Sequence, residues 1–198
     1  MTLCCLAFII NSIYTEGDPY NPLGLDSGVF RIKVTPGTSS WSGAQTATLV
    51  TGTSDVYDVQ FTESNIAQWN KSMALEVLGA NTTGWTTGLS TMFASCSNLT
   101  SVALFDTSSA TNLNSMFLSC TSLSSVPLFD TRNVTNMYAM FNNCTNVQSG
   151  ALALYQQAST QATPPSNHDG TFYKCGSNTS TGAAELAQIP YSWGGTGA

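Results

Sequence analysis

The chain has 198 residues and a net charge of −6, and only 8% of its residues are charged while 42% are hydrophobic. A typical globular protein carries about 25% charged residues, so serine, threonine and asparagine must supply most of the polar surface. The hydrophobic share is close to the globular norm and excludes a fully disordered chain. Nucleic-acid binding is disfavoured, because five lysines and arginines cannot form the basic stripe that a phosphate backbone requires.

An apolar run extends from Leu3 to Ile10, and we expect it to form a buried strand. The run is too short to cross a bilayer, so no membrane insertion is expected. It also lacks the positive region and the small-residue cleavage motif of a secretion signal, since the first basic residue is Arg31. If the sequence starts at the natural N-terminus, this favours a virion component released by lysis over a self-secreted adhesin.

Residues 1–61 are predicted to form an N-terminal β-rich domain. Residues 29–34 alternate apolar and polar side chains, as a half-buried strand does, and residues 47–50 and 56–61 supply two more short strands. Turns rich in glycine and proline separate them. We expect a small antiparallel sheet or sandwich that caps the following region or attaches the protein to a larger assembly.

A Met-Phe-x-x-Cys phrase occurs three times with a constant spacing of 24 residues, beginning at Met92, Met116 and Met140. A Leu-x-x-Val-x-Leu-Phe-Asp-Thr phrase lies between the copies, beginning at Leu99 and Leu123. A period in the twenties indicates stacked coils, each too small to bury its own apolar face. We expect the leucine phrase to end in a strand of about three or four residues that joins a parallel ladder. The Met-Phe phrase is expected to form one turn of α-helix or 3₁₀-helix on the opposite side.

This repeat resembles the BspA-like leucine-rich repeat of bacterial surface proteins. The resemblance is best in the third copy, through the Asn-Val-Thr-Asn-Met sequence at 133–137, and it covers residues 85–147 well and residues 61–84 weakly. Similar repeats also resemble segments of gene products from phages that infect gut bacteria. The resemblance implies a leucine-rich-repeat solenoid, surface display and a role in adhesion or recognition, and the family has no catalytic residues to transfer.

The expected fold class is therefore mainly β with short helices, in which a short leucine-rich-repeat solenoid with a 24-residue repeat follows the N-terminal β-rich domain. The solenoid is assigned to residues 62–160. Its atypical first coil includes a short helix near residues 63–69 and a strand at residues 75–78. Residues 161–198 are predicted to form a C-terminal capping segment.

Short helices are predicted at residues 151–157 and 183–188, and Pro190 ends the second. Residues 171–175 repeat the Met-Phe-x-x-Cys pattern in altered form and are interpreted as a final irregular coil. Trp193 and the glycines that follow it are expected to form a flexible tail.

The cysteines and the single histidine give little indication of chemistry. Cys96, Cys120 and Cys144 share one repeat position, so we expect a buried column in which packing explains them better than metal binding. The chain has no Cys-x-x-Cys spacing, and its only histidine, His168, lies in a polar loop where we expect it to be solvated. We therefore expect no metal, no cofactor and no structural disulfide.

Asp106 and Asp130 occupy equivalent repeat positions, and carboxylates in register could hold Ca²⁺ or act as a glycosidase pair. The stronger expectation is that each accepts backbone N–H bonds at an Asp-Thr turn. The chain also lacks the Gly-x-Ser-x-Gly nucleophile elbow. We expect that the protein is not an enzyme.

The expected function is that of a non-enzymatic recognition or adhesion module, which binds a cell-surface glycan or protein and is displayed on a bacterial surface or a phage particle. The alternative is a structural component of a virion or filament that self-associates as a homo-oligomer or binds other virion proteins. Both place the protein at an extracellular surface or in a virion. The candidate ligand contacts are exposed positions of the strand ladder and one flanking aromatic, namely Thr100, Ser101, Ser124, Ser125 and Tyr138.

Overall fold

The computed structural model describes residues 20–37, 41, 44–64 and 71–198. This part of the chain is mainly β with short helices, which confirms the expected class. The predicted strand at residues 3–10 and most of the predicted helix at residues 63–69 lie outside the described residues. The elements are β1 (Val29–Val34), β2 (Thr46–Leu49), β3 (Val56–Gln60), β4 (Ala74–Ala80), β5 (Ser101–Val102), α1 (Ala151–Thr160) and α2 (Ser180–Leu186), with 3₁₀ turns at Lys71–Met73 and Tyr191–Trp193.

The described strands form one mixed sheet with the order β2-β3-β1-β4-β5. β1 is antiparallel to both β3 and β4, whereas β4 and β5 run parallel. The alternation predicted for residues 29–34 is confirmed, since Phe30, Ile32 and Val34 are buried and the residues between them are only half-buried. Because β4 and β5 belong to the sheet, it continues past the predicted boundary after residue 61. The three domain ranges remain predictions.

The Met-Phe-x-x-Cys phrases form turns, and the predicted helical turn is wrong. Two residues with positive φ, four positions apart, lie before and within each phrase: Ser115 (53°) and Ser119 (61°), then Ala139 (52°) and Asn143 (62°) one repeat later. A right-handed helix cannot continue through left-handed residues. Alternate N–H groups of the turn therefore point away from their own segment, while those between them bond within it, as Leu118 does to the carbonyl oxygen of Ser115 at 3.2 Å. The strand expected from the leucine phrase is also shorter than predicted, since β5 has two residues.

Backbone hydrogen bonds join each Met-Phe turn to the turn that follows it along the chain. Each phenylalanine donates its backbone N–H to a carbonyl oxygen of the next turn. The residues two positions before and two positions after it do the same. The altered phrase at 171–175 receives the last set of bonds, which places it in register with the others, as predicted. The central bonds run, from donor to acceptor, from Phe93 to Met116 (2.9 Å), Phe117 to Met140 (2.9 Å) and Phe141 to Thr171 (2.8 Å).

A column of buried phenylalanine rings runs through the core along the same direction. Phe117 lies 5.3 Å from Phe93 and 5.1 Å from Phe141 between ring centroids, with the planes within 11° and 9° of parallel. Phe172 extends the column beyond Phe141 at 6.2 Å. Phe30 of β1 contacts the other end, 6.4 Å from Phe93. The sheet and the turns therefore share one continuous core.

The C-terminal residues close this core, and the expected flexible tail is wrong. Trp193 is only 5% exposed and its ring stacks 6.5 Å from Phe172, so it ends the aromatic column. The glycine at 195 is equally constrained, because a Cβ atom there would lie 1.9 Å from the carbonyl oxygen of Ile189. The helices α1 and α2 confirm the two predicted helices with shifted ends.

We predict that Phe117→Ala lowers the free energy of unfolding by about 3–5 kcal/mol, because it removes a fully buried ring between two stacked neighbours and leaves a cavity. Urea unfolding followed by circular dichroism measures the change. The matched control is Leu128→Ala, whose side chain is half exposed and should change the stability by less than about 1 kcal/mol. Equal effects of the two substitutions would contradict the central role of the ring column.

Candidate recognition surface

Two of the predicted ligand-contact residues use their hydroxyls to join neighbouring segments. Thr100 donates both its N–H and its Oγ1 hydroxyl to the carbonyl oxygen of Leu75, at 2.8 and 3.0 Å. Ser124 repeats the arrangement one segment later, where its N–H and its Oγ donate to the carbonyl oxygen of Thr100 at 3.0 and 2.9 Å. Both residues are exposed as predicted, but their hydroxyl protons are already used within the fold.

Ser101 and Ser125 follow these two residues in the same hydrogen-bonded row. Ser101 is half-buried in β5 and pairs with Glu76 of β4. Ser125 is exposed and forms a parallel bridge with Ser149. The structure thus brings four of the five predicted residues together in one row, at the place expected from the repeat.

Tyr138 belongs to a different row, on the Met-Phe turns. Its side chain is 48% exposed, and its backbone N–H donates to Asn136 Oδ1 over 3.0 Å, which fixes the turn. Its carbonyl oxygen accepts the N–H of Ser115 in the preceding segment. The backbone at Tyr138 is therefore held on both sides while the ring projects outward.

Tyr173 is an exposed aromatic that the sequence reasoning did not select. It lies on the next turn after Tyr138 and is 50% exposed. The carbonyl oxygen of Tyr173 accepts the N–H of Asn143. One segment earlier, the carbonyl oxygen of Asn142 accepts the N–H of Ser119, so Tyr173 and Asn142 occupy equivalent positions. The ammonium group of Lys174 lies 5.4 Å from the centroid of the Tyr173 ring. The sequence does contain a signal for its exposure, because Tyr173 occupies an outward position of the altered Met-Phe phrase at residues 171–175. We call Tyr138, Asn142, Tyr173 and Lys174 the tyrosine edge.

Buried threonines form a second set of bonds between segments, at the Asp-Thr turns. Thr107 Oγ1 donates to the carbonyl oxygen of Asp130 over 2.8 Å. Thr131, one repeat later, donates to Gln161 Oε1 over 2.9 Å. Gln157 of α1 donates from Nε2 to the carbonyl oxygen of Phe129 over 2.6 Å. Glutamine side chains of α1 and of the residue after it thus replace the next segment at this end of the stack.

The carboxylates of Asp106 and Asp130 are used in the turns, which confirms the stronger of the two expectations. Asp106 Oδ1 accepts the N–H of Ser108 at 2.8 Å, and Asp130 Oδ1 accepts the N–H of Arg132 at 3.0 Å. The hydrogen bond from the Arg132 side chain, followed by the one from its backbone N–H, holds the pKa of the Asp130 carboxyl below its usual range. These contacts give both carboxylates a structural role.

The predicted cysteine column is confirmed, and Cys175 extends it by one member. All four thiols are buried and free, and Cys144 Sγ donates to the carbonyl oxygen of Phe117 at 3.0 Å. Burial raises the pKa of the Cys144 and Cys175 thiols well above the ordinary value. A protonated thiol is a poor nucleophile and a poor metal ligand, so the column acts as core. Within the described residues, no group of three His, Cys, Asp or Glu side chains is placed to hold a metal ion.

His168 lies in a loop and is half-buried, so it is partly exposed as expected, but it also belongs to the C-terminal closure. Its ring stacks on Trp193 with centroids 4.2 Å apart, and Nδ1 lies 2.9 Å from the carbonyl oxygen of Pro165. The stacking partner is supplied by the last residues of the chain, which is why the local loop sequence did not reveal it.

The outward face of the sheet holds a shallow groove of about 370 Å³. Three of its polar side chains, those of Arg31, Asp58 and Gln60, have hydrogen-bond partners. Arg31 donates from Nε and Nη2 to the two carboxylate oxygens of Asp58 at 2.7 Å, and Gln60 donates to the carbonyl oxygen of Ser27 at 2.9 Å. Because these groups already have partners, the groove is a weaker candidate for ligand binding than the tyrosine edge.

Comparison with protein families gives one match, to a family described as a Mycoplasma protein of unknown function, DUF285, over residues 87–164. That span begins just before the first Met-Phe turn and extends past α1. Neither the curated proteins nor the solved structures gave a match. The family description names no activity. No helix in the described ranges is long and apolar enough to cross a bilayer.

We predict that Thr131→Val lowers the free energy of unfolding by about 1–3 kcal/mol, because the half-buried amides of Gln157 and Gln161 lose their bonds to the hydroxyl of the buried Thr131 without a change in side-chain shape. Chemical denaturation measures the effect. Thr121→Val is the control, since the Thr121 hydroxyl makes only a 3.4 Å contact at a partly exposed site. This substitution should change the free energy of unfolding by less than about 0.5 kcal/mol. A smaller loss for Thr131→Val than for the control would show that the glutamines do not close the stack through this threonine.

We also predict that alkaline pH destabilises the protein through the Cys144 thiol. The folded thiol keeps its proton because burial raises its pKa, whereas the unfolded thiol loses its proton above about pH 8.5. The unfolded state then binds fewer protons, so stability is unchanged below that pH and falls as the pH rises above it. One pH unit above the unfolded pKa, the loss approaches about 1.4 kcal/mol per thiol.

Denaturation curves at several pH values, for the native chain and Cys144→Ala, measure this pH dependence. The difference between the two chains removes the contributions of lysine and tyrosine. Parallel pH profiles for the two chains would contradict the prediction.

Proposed function

We propose that the protein is a non-enzymatic recognition module, built on a short leucine-rich-repeat solenoid of the BspA-like kind, that binds a cell-surface glycan or protein. It would act at an extracellular surface, displayed by a bacterium or a phage particle. The observation that carries the proposal is the tyrosine edge, which presents two half-exposed rings on adjacent turns of a rigid scaffold.

The solenoid part of the proposal is supported by bonds that recur with the sequence period. The backbone bonds between the first three Met-Phe turns, the hydroxyl bonds of Thr100 and Ser124, and the bond from Thr107 to Asp130 each join a residue to the segment 23 to 25 positions away. The bonds from the third turn to the altered phrase span 30 positions, because α1 lies between the two. A segment of this size cannot bury its own apolar face, and stacking creates the common core.

A neutral ligand is favoured because the charges near the repeats are few and three of them are paired. Between Glu76 and Lys174 the charged residues are Asp106, Asp130, Arg132 and Asp169. The first two bond within turns, and Arg132 pairs with Asp130 at 2.6 Å. A surface of this kind offers hydroxyl, amide and aromatic groups without a strong electric field, so it suits a glycan or an uncharged protein patch.

The tyrosines suit binding because a tyrosine ring gives a large, stiff and amphipathic contact at a low cost in conformational entropy. Tyr138 and Tyr173 lie on successive turns, whose backbones are joined by the bond from Asn143 to Tyr173. The two rings stand at different positions of these turns, because the residue equivalent to Tyr138 on the next turn is Asp169, whose carbonyl oxygen accepts the N–H of Ala139. Two half-exposed rings on successive turns can contact separate units of an extended chain molecule.

We expect the double variant Tyr138→Ala/Tyr173→Ala to bind at least about tenfold more weakly than the native chain, a loss of about 1.4 kcal/mol. A printed glycan array and binding to intact bacterial cells measure this, with Leu128→Ala as a control of similar exposure elsewhere on the stack. Native protein that binds neither glycans nor cells would count against the recognition function. Full binding by the double variant would count against the tyrosine edge as its site.

The second candidate is a structural component that self-associates in a virion or filament. It is favoured by one observation, the exposed outer edge of β2 in the described sheet. Light scattering over a wide range of protein concentrations separates the two candidates, because a recognition module has no need to self-associate and a structural component does.

A further inference from the structure

The strand β2 ends the described sheet on one side. Its single strand neighbour among the described residues is β3, and Thr46, Thr48 and Leu49 are exposed. The opposite side differs, since β5 is followed by the next segment through the bond from Ser124 to Thr100. An open strand edge offers unpaired N–H and C=O groups to another strand, and proteins usually protect such edges with charges, proline or bulges.

None of these protective features occurs between Thr46 and Leu49, although an irregularity lies just before β2, where the N–H of Gln45 donates to the carbonyl oxygen of Gln60 at 2.9 Å. The strand has no proline, and no charged residue lies between Lys33 and Asp55 in the sequence. Its register with β3 is regular over its whole length. In a chain with a net charge of −6, a surface without charge is also where two copies repel each other least.

The register with β3 shows which backbone groups face outward. Val50 donates to the carbonyl oxygen of Val56 at 2.9 Å, and hydrogen-bonded pairs alternate along an antiparallel ladder. Thr48 and Thr46 therefore direct their N–H and C=O groups toward β3. Ala47 and Leu49 direct theirs toward the open edge.

We propose that β2 pairs with β2 of a second copy of this chain, antiparallel and about a two-fold axis at Thr48. In that register, Ala47 and Leu49 exchange backbone bonds with Leu49 and Ala47 of the second copy. The strand is self-complementary, because the large Leu49 side chain, now 45% exposed, meets a small alanine on one face. On the other face Thr48 meets Thr48, a favourable cross-strand pair.

The start of the described chain lies toward the other end of the sheet. Leu23 lies over Gly79 of β4. None of the backbone hydrogen bonds made by residues 21–28 goes to β2. A second copy is therefore the occupant that we assign to the open edge.

The test uses charge at the two-fold axis. Sedimentation velocity of the native full chain should show a dimer whose fraction rises with concentration. Thr48→Lys and Thr48→Glu should each be monomeric, because the axis places like charges directly opposite each other. An equimolar mixture of the two variants should recover the dimer. Thr48 is exposed, so both variants should keep the native circular dichroism.

A second pair of variants tests the backbone edge. Ala47→Pro removes an outward N–H while leaving the bonds to β3, and it should abolish the dimer, whereas Ala47→Val keeps the N–H and should preserve it. Protection of the buried cysteines from a thiol reagent reports that each variant is folded.

Several results would overturn the proposal. A dimer that persists in Thr48→Lys places the contact elsewhere and overturns this inference alone. A native chain that stays monomeric at every concentration overturns both this inference and the self-association candidate on which it rests. Slow hydrogen exchange at the Ala47 and Leu49 amides of such a monomer would show that the same chain covers the edge. In every case the binding arrays with the tyrosine variants test the recognition function separately.

Discussion

The backbone ladder between Met-Phe turns is the constraint on which the rest of the structure depends. Each turn is bracketed by residues with positive φ, such as Ser115 and Ser119. This geometry directs alternate N–H groups away from their own segment, and a buried N–H without a partner costs about 1–3 kcal/mol. A segment is therefore stable only beside the next one, whose carbonyl groups accept the bonds. The ring column and the cysteine column follow, because residues at the same repeat position are then brought one above another.

A stack of this kind needs special contacts where it ends. At the C-terminal end, Trp193 continues the ring column, while Gln157 and Gln161 accept and donate the bonds that a further segment would make. At the first turn, the Lys71 ammonium group donates to the carbonyl oxygen of Thr91. Burial lowers the pKa of Lys71. These contacts explain why the atypical residues are as important to the fold as the regular repeats.

The polar composition of the chain also follows from the need for hydrogen bonds between neighbouring segments. Short hydroxyl side chains reach the backbone of the neighbouring segment, so Thr100 and Ser124 stand at exposed positions where lysine and glutamate would cover another protein, and Thr107 makes a similar bond in the interior. Their protons are used within the fold. Recognition is then left to groups that project beyond the ladder, and the half-exposed rings of Tyr138 and Tyr173 do so.

The sequence by itself determined the repeat, its buried methionine, phenylalanine and cysteine positions, and the alternation of β1, because each depends on a periodic pattern of side chains. It also selected Tyr138 as exposed. Only the tertiary structure decided that the Met-Phe turns are not helical and that the tail around Trp193 is packed. It also decided that the hydroxyls of Thr100 and Ser124 donate hydrogen bonds to neighbouring segments. The physical reason is the same in each case. The partners of these groups lie a whole segment or more away in the chain, so no local pattern can reveal them until the segments are stacked.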